Sequence, residues 1–257
     1  MDIQTKLRKM YVCGDSWLSP SKETPGLHMA EIVAERLHFE LVPLSQGGMS
    51  NGGICIQIDT AIDHLADFIL INTTESDRME LPIGQHVGSK FTTADIKYIK
   101  GQYQSSLVPF NGSSPTLISN SLNSLLSGKG LDDHPEKIKA IEEYFRHLFS
   151  PEWHRQIDQW CMYSVLHKLH LSGIPYLLVL DTLDIPSFCP FIENVTLDYN
   201  SFTLNMLKAA SIPGFRDPGY HTLPEAQQQA ADHILKYIEA NPRIFSSRGQ
   251  GHSTSQP

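Results

Sequence analysis

A doubly wound α/β domain built on a parallel sheet is what this chain predicts, on two observations. Its strand-like runs are short, continuous and apolar rather than alternating, as parallel strands covered on both faces require. Those runs also alternate with stretches whose apolar residues recur at helical spacing.

Met10-Tyr11-Val12-Cys13 is the first strand. Residues 28–38 follow as a helix, with Met29, Ile32, Val33 and Leu37 on one face. Residues 39–44 form the second strand. Ser50-Asn51 caps a helix over 52–65, whose inner face is Ile54, Ile58, Ala61, Ile62 and Leu65. Phe68-Ile69-Leu70-Ile71 is the third strand and 175–180 the fourth. Between them, residues 81–133 are rich in Ser, Gly, Asn and Pro and weakly periodic; they read as loops and short helices over one sheet edge, a candidate lid. Residues 134–149 and 151–172 read as helices, the second announced by Ser150-Pro151-Glu152. The last helix, 223–240, starts at Thr222-Leu223-Pro224-Glu225, where Thr222 can cap. A single domain over residues 1–245 is expected, with 81–133 as its insertion and 246–257 as a loose tail.

With 257 residues, 40% of them hydrophobic, the chain can bury one large core. Charged residues are 19%, which argues against wholesale disorder. The formal charge of −8 disfavours a general nucleic-acid partner. No apolar run approaches the roughly 20 residues that span a bilayer, so no membrane role is expected. The amino-terminal residues lead into no long apolar run, which predicts no secretory signal and a cytoplasmic location. Cys13, Cys55, Cys161 and Cys189 match no metal or CxxC spacing and read as reduced thiols. Three glycosylation sequons, at Asn72, Asn111 and Asn194, read as chance matches.

The chemistry concentrates after strand ends. Gly14-Asp15-Ser16-Trp17 follows the first strand, and its glycine permits a sharp turn. A glycine-rich block, 45–53, follows the second strand, and Asn72-Thr73-Thr74-Glu75-Ser76-Asp77-Arg78 follows the third. Asp217-Pro218-Gly219-Tyr220-His221 precedes the last helix. In a doubly wound sheet these positions share one edge. Together they have the parts of an acyl-transfer site. Ser16 would attack a carbonyl, His221 would take and return its proton, and Asp217 would orient the imidazole. Backbone N–H groups of Ser16 and of Gly47 or Gly48 would face the oxyanion. Asn51 in the second block, with Thr74, Ser76 and Arg78 in the third, are candidate oxyanion or substrate contacts.

Gly14-Asp15-Ser16 near the start, the Gly47-Gly48 block and Asp217…His221 before a last helix resemble the SGNH/GDSL hydrolase superfamily. The resemblance runs over most of the chain. It implies a flavodoxin-like, three-layer α/β/α fold and hydrolysis of a small-molecule or glycan ester through a Ser16 acyl-enzyme. No metal or organic cofactor is implied. Two departures accompany it. The third block reads Asn72-Thr73-Thr74-Glu75 where the family has Gly-x-Asn-Asp, so Thr74 or Ser76 would have to supply a hydroxyl in place of the asparagine. Asp217 and His221 are four apart instead of three. Alternatives are a catalytically inactive binding or structural protein of the same type, and a carbohydrate O-acetyl esterase or acyltransferase.

Other residues have plainer readings. His154, His167 and His170 read as solvated or satisfied side chains, without ligand-spaced partners. Trp153 and Trp160, with Ile157, read as core packing. Arg78 could hold a substrate carboxylate or phosphate, or pair with Asp77 or Glu80. A dinucleotide fold is disfavoured because neither Gly-x-Gly-x-x-Gly nor a Walker sequence appears. The GxSxG elbow of the α/β-hydrolases is also absent.

Overall fold

The apolar runs become strands buried on both sides. A computed structural model describes residues 7–20, 25–46, 49–74, 76, 78–82, 106–109, 115–121, 139–140, 143–144, 146–180, 183, 185, 189 and 224–245. Their order is β1 (Arg8–Cys13), α1 (Met29–Arg36), β2 (Phe39–Pro43), α2 (Asn51–Asp63), β3 (Phe68–Asn72), β4 (Arg78–Pro82), β5 (Ser106–Pro109), β6 (Pro115–Ser121), α3 (Pro151–Ser172), β7 (Tyr176–Leu180) and α4 (Pro224–Ala240), followed by a 3-10 turn (Pro242–Phe245).

Four strands form a parallel sheet in the order β2-β1-β3-β7. Side chains alternate between its faces. Met10, Val12, Phe68, Leu70, Leu177 and Val179 pack with residues of α1 and α4. Tyr11, Cys13, Ile69, Ile71, Tyr176 and Leu178 pack with residues of α2 and α3. The expected three-layer α/β/α architecture follows, and with both faces covered the strands can be apolar throughout. The chain steps from β1 outward to β2, then returns to the other side as β3. That reversal makes the β1/β3 boundary the switch point, where ligands bind at the carboxyl ends of the strands.

The helix signals hold where they are described. Ser50 Oγ accepts from Gly53 N at 3.4 Å, and Ser150 Oγ from Trp153 N at 3.2 Å. α3 ends on Gly173 in the left-handed region, φ 67°. The strand expected from 175 starts one residue later; Pro175 has no N–H to donate, but its carbonyl accepts from Ile69 N.

Three expectations change. Leu65 is not on the inner face of α2: it lies past the C-cap His64, at φ 53°, and is 80% exposed. Trp153 and Trp160 are not core residues; they are 57% and 56% exposed and meet edge to face. The buried stripe of α3 is instead Asp158, Met162, Val165 and Leu169, which has the same helical spacing. The insertion is not only loops and short helices, since β4, β6 and β5 form an antiparallel sheet. Of the expected helix over 134–149, the residues described as helical are 139–140, 143–144 and 146–147. Thr222 and the tail lie outside the described residues. All four cysteines are free thiols. Among the described residues, no helix is long and apolar enough to cross a membrane.

Candidate active site

β1 and β3 run side by side with Cys13 opposite Ile71, so Gly14, just past the end of β1, lies beside Asn72, the last residue of β3. The β3–β7 register slips between Ile71 and Asn72. There the Asn72 side chain meets the turn that leaves β1. A Cβ on Gly14 would land on Asn72 Oδ1, so the glycine is required for this approach.

The Gly14-Asp15-Ser16 turn is held by a buried polar network. The Gln57 amide of α2 reaches across and pairs with Gly14 twice. Its Oε1 accepts from Gly14 N at 2.6 Å and its Nε2 donates to Gly14 O at 3.2 Å. It thereby stands in for the peptide of another strand. Asn72 Oδ1 accepts from Asp15 N at 3.3 Å, and Asn72 Nδ2 donates to Asp15 Oδ1 at 2.9 Å. The other Asp15 oxygen accepts from Thr74 Oγ1 at 3.1 Å, and Asp15 Oδ1 also accepts from Trp17 N at 3.0 Å. Asp15 is 1% exposed, so these donors replace the water it gives up.

The second block closes over this turn. Gln46 N donates to Gly14 O at 3.2 Å, and Ser45 Oγ donates to Leu18 O at 2.8 Å. Asn51 opens α2 and fixes the third block. Its Oδ1 accepts from Thr74 N at 2.9 Å, while its Nδ2 donates to Thr74 O at 2.8 Å and Asp158 Oδ2 at 2.9 Å. Asp158 is buried on α3, with His154 Nε2 3.8 Å from its other oxygen.

The structure therefore brings together three of the four expected segments: the turn that carries Ser16, the glycine-rich block through Ser45, Gln46 and Asn51, and the third block through Thr74. Ser16 is half-buried on the held turn, and no hydrogen bond joins its hydroxyl to a described residue. Thr74 is committed to Asp15 through its hydroxyl, and Asn51 to Thr74 and Asp158 through its amide. Ser76 differs, because its buried Oγ has no hydrogen-bond partner among the described residues. Arg78 starts β4. Gly47, Gly48, Asp217 and His221 lie outside the described residues. Asn72 is fully buried in this network, which supports the reading of its sequon as a chance match.

Gln57 and Asp158 were missed by sequence reasoning. Each is a polar residue on an apolar helical stripe, Gln57 among Ile54, Ile58 and Ala61, and Asp158 before Met162 and Val165. That placement is the signal that could have found them, since a buried polar side chain needs a partner. Beside the site, burial pushes the Cys13 thiol pKa well above its ordinary range. The thiol is thus held neutral beneath the turn.

No protein-family model matches the chain, and no curated protein does. Among solved structures it is similar to the psychrotrophic esterase EstA from Pseudoalteromonas sp., with TM-score 0.48 and 11% identity over 91% of this chain and 97% of that one. It is also similar to TesA, with TM-score 0.46 and 11% identity over 91% of this chain and 99% of that one. A third is the acetyl xylan esterase Est2A from the rumen bacterium Butyrivibrio proteoclasticus, with TM-score 0.44 and 11% identity over 93% of this chain and 65% of that one.

Proposed function

We propose that the chain is a serine hydrolase of the SGNH type, acting on ester or acyl-ester bonds through Ser16. The observation that carries this reading is the placement of Ser16. It sits on a turn fixed by buried hydrogen bonds, at the carboxyl end of β1, beside the switch point of the sheet. A turn held this firmly suits a nucleophile, whose position must be set before the substrate arrives.

In the proposed reaction Ser16 Oγ attacks the carbonyl carbon, and its proton passes to His221, oriented by Asp217. The tetrahedral oxyanion forms against the N–H groups of Ser16 and of Gly47 or Gly48. The C–O bond to the leaving group breaks as His221 returns the proton to the departing oxygen. Water, deprotonated by His221, then attacks the acyl-enzyme and frees Ser16. Ser76 is favoured over Thr74 as the hydroxyl donor of the third block. A buried hydroxyl left unpaired costs about 1–3 kcal/mol, and a developing oxyanion would relieve that cost. Small-molecule or glycan esters are the substrate class.

A second reading, a non-catalytic domain of the same design, is favoured by one observation. The third block spends Asn72 and Thr74 on Asp15 where the SGNH pattern keeps an asparagine for the oxyanion. A fluorophosphonate probe separates the two, since it labels only an activated serine, with loss of fluoride. The enzyme reading expects wild-type label that disappears in Ser16→Ala and His221→Ala. A folded wild-type protein without label, and without turnover of short p-nitrophenyl esters, sinks it. A label that survives Ser16→Ala sinks the assignment of the nucleophile.

A further inference from the structure

His28 is an unusual choice at the start of a helix, where Ser, Thr, Asp and Asn are the common caps. Its Nδ1 accepts from Ala30 N at 3.1 Å, which is the ordinary work of a cap. An accepting Nδ1 bears no proton, so in the neutral ring Nε2 carries it. That Nε2 lies 3.1 Å from Trp17 O, to which it donates. A serine, aspartate or asparagine cap could not span this second contact. The ring is buried, at 6% exposure, so its donor has little water to turn to.

The same helix end is tied to a third element. The first N–H groups of a helix lack intrahelical partners. Here Met29 N donates to Gln227 Oε1 of α4 at 3.0 Å, across 198 residues of sequence. Gln227 is itself buried. Ala30 and Ala34 of α1 lie in one core cluster with Ala230 and Ala231 of α4, small residues that let the two helices approach closely. Trp17, whose carbonyl His28 holds, uses its own N–H on Asp15 Oδ1. The Ser16 turn is thus gripped from within by Asp15 and from outside by His28.

We propose that His28 and Gln227 are positioning residues. Through the amino end of α1 they hold the Ser16 turn in register with the first turn of α4, which starts at Pro224, three residues beyond His221 in the chain. The inference rests on the reading of Ser16 as nucleophile and His221 as base.

The test uses the full chain and His28→Asn, which keeps a strong capping acceptor but is too short for Trp17 O. Thermal melting should stay near wild type. Amide hydrogen exchange at Trp17 and Leu18, whose N–H groups are bonded inside the turn, should rise about tenfold or more. The fluorophosphonate labelling rate should fall by about ten- to a hundredfold, the scale of a small misplacement at a reacting centre. Gln227→Leu should act in the same direction, and Gln227→Glu, which keeps the acceptor for Met29 N, should restore both readouts. Should His28→Asn not fold, Gln227→Leu against Gln227→Glu is read in its place. Wild-type exchange at Trp17 and Leu18 in a folded variant overturns the proposal, because it leaves only a cap. Absence of labelling in the wild type removes the hydrolase reading instead, and the exchange measurement still decides the link.

Discussion

The two ends of the same strands are made of different materials. At the amino ends, the rings of Phe39, Phe68 and Phe245 pack with centroids 5.1–6.4 Å apart, and the Arg8 guanidinium lies 4.4 Å over the Phe39 ring. The polar side chains described there are few: half-buried Asp67 accepts from Lys9 N at 2.9 Å, and the Tyr176 hydroxyl is buried at the start of β7. At the carboxyl ends, Asp15, Asn51, Gln57, Asn72, Thr74 and Asp158 are all buried, and they spend their side chains on one another or on backbone. Burying polar groups stabilises little once their desolvation is counted. What it does provide is a fixed shape, because each partner must be in place for the others to be satisfied. The amino end therefore holds the sheet together, and the carboxyl end holds one turn still.

That contrast can be broken by measurement, starting with the largest effect. Phe68→Ala should destabilise the protein by about 3–5 kcal/mol in urea unfolding, the usual cost of emptying a buried aromatic site. Its labelling rate per folded molecule should be unchanged. A labelling defect that outlasts correction for unfolding would show that the two ends are not separable. Gly14→Ala should cost less stability, about 1–3 kcal/mol as a local clash, but slow labelling about a hundredfold. Asn72→Gly in the same chain removes the atom it strikes. Stability should then recover in part, and a purely additive double mutant would contradict the close approach.

Alkaline unfolding sharpens the comparison further. The Cys13 thiol is pushed up by burial from an ordinary value of 9.0. The folded state therefore keeps a proton that the unfolded chain releases. This contribution is whole below about pH 9 and is lost as pH rises above it, by up to about 1.4 kcal/mol per pH unit. Cys13→Ala should flatten that part of the pH–stability curve, and an unchanged slope would refute it. The smallest effect belongs to Lys168, which joins α3 to Asp59 and, at 3.5 Å, to Asp63 of α2. These groups are partly exposed, so Lys168→Ala should change stability by no more than about 1 kcal/mol in low salt. A larger loss would mean that the α2–α3 layer depends on surface charge rather than on its core.

The particular residues show where reading the chain succeeds and where it stops. Ser150-Pro151 fixed the start of α3 because a cap and a first-turn proline act within four residues. Gly14 was recognisable as a turn, but not as the only residue that fits against Asn72. Trp153 and Trp160 misled because α3 carries two stripes of equal helical spacing, and periodicity does not say which one meets the sheet. His28 looked like the first residue of a helix; that its far nitrogen would reach Trp17 is a fact about a loop eleven residues earlier.

The four parallel strands, the helices that cover them and the seat of Ser16 were thus settled by local order along the chain, whereas the antiparallel sheet of the insertion was not. Backbone sterics, capping and the 2.0 and 3.6 periodicities all act over a few residues. The polar cradle was decided only by folding. Its bonds join residues 43, 57 and 107 positions apart, as in Gln57 to Gly14, Asn72 to Asp15 and Asp158 to Asn51. Such pairs are selected by the packing of whole layers, where a buried polar group must find whichever partner the tertiary arrangement brings to it.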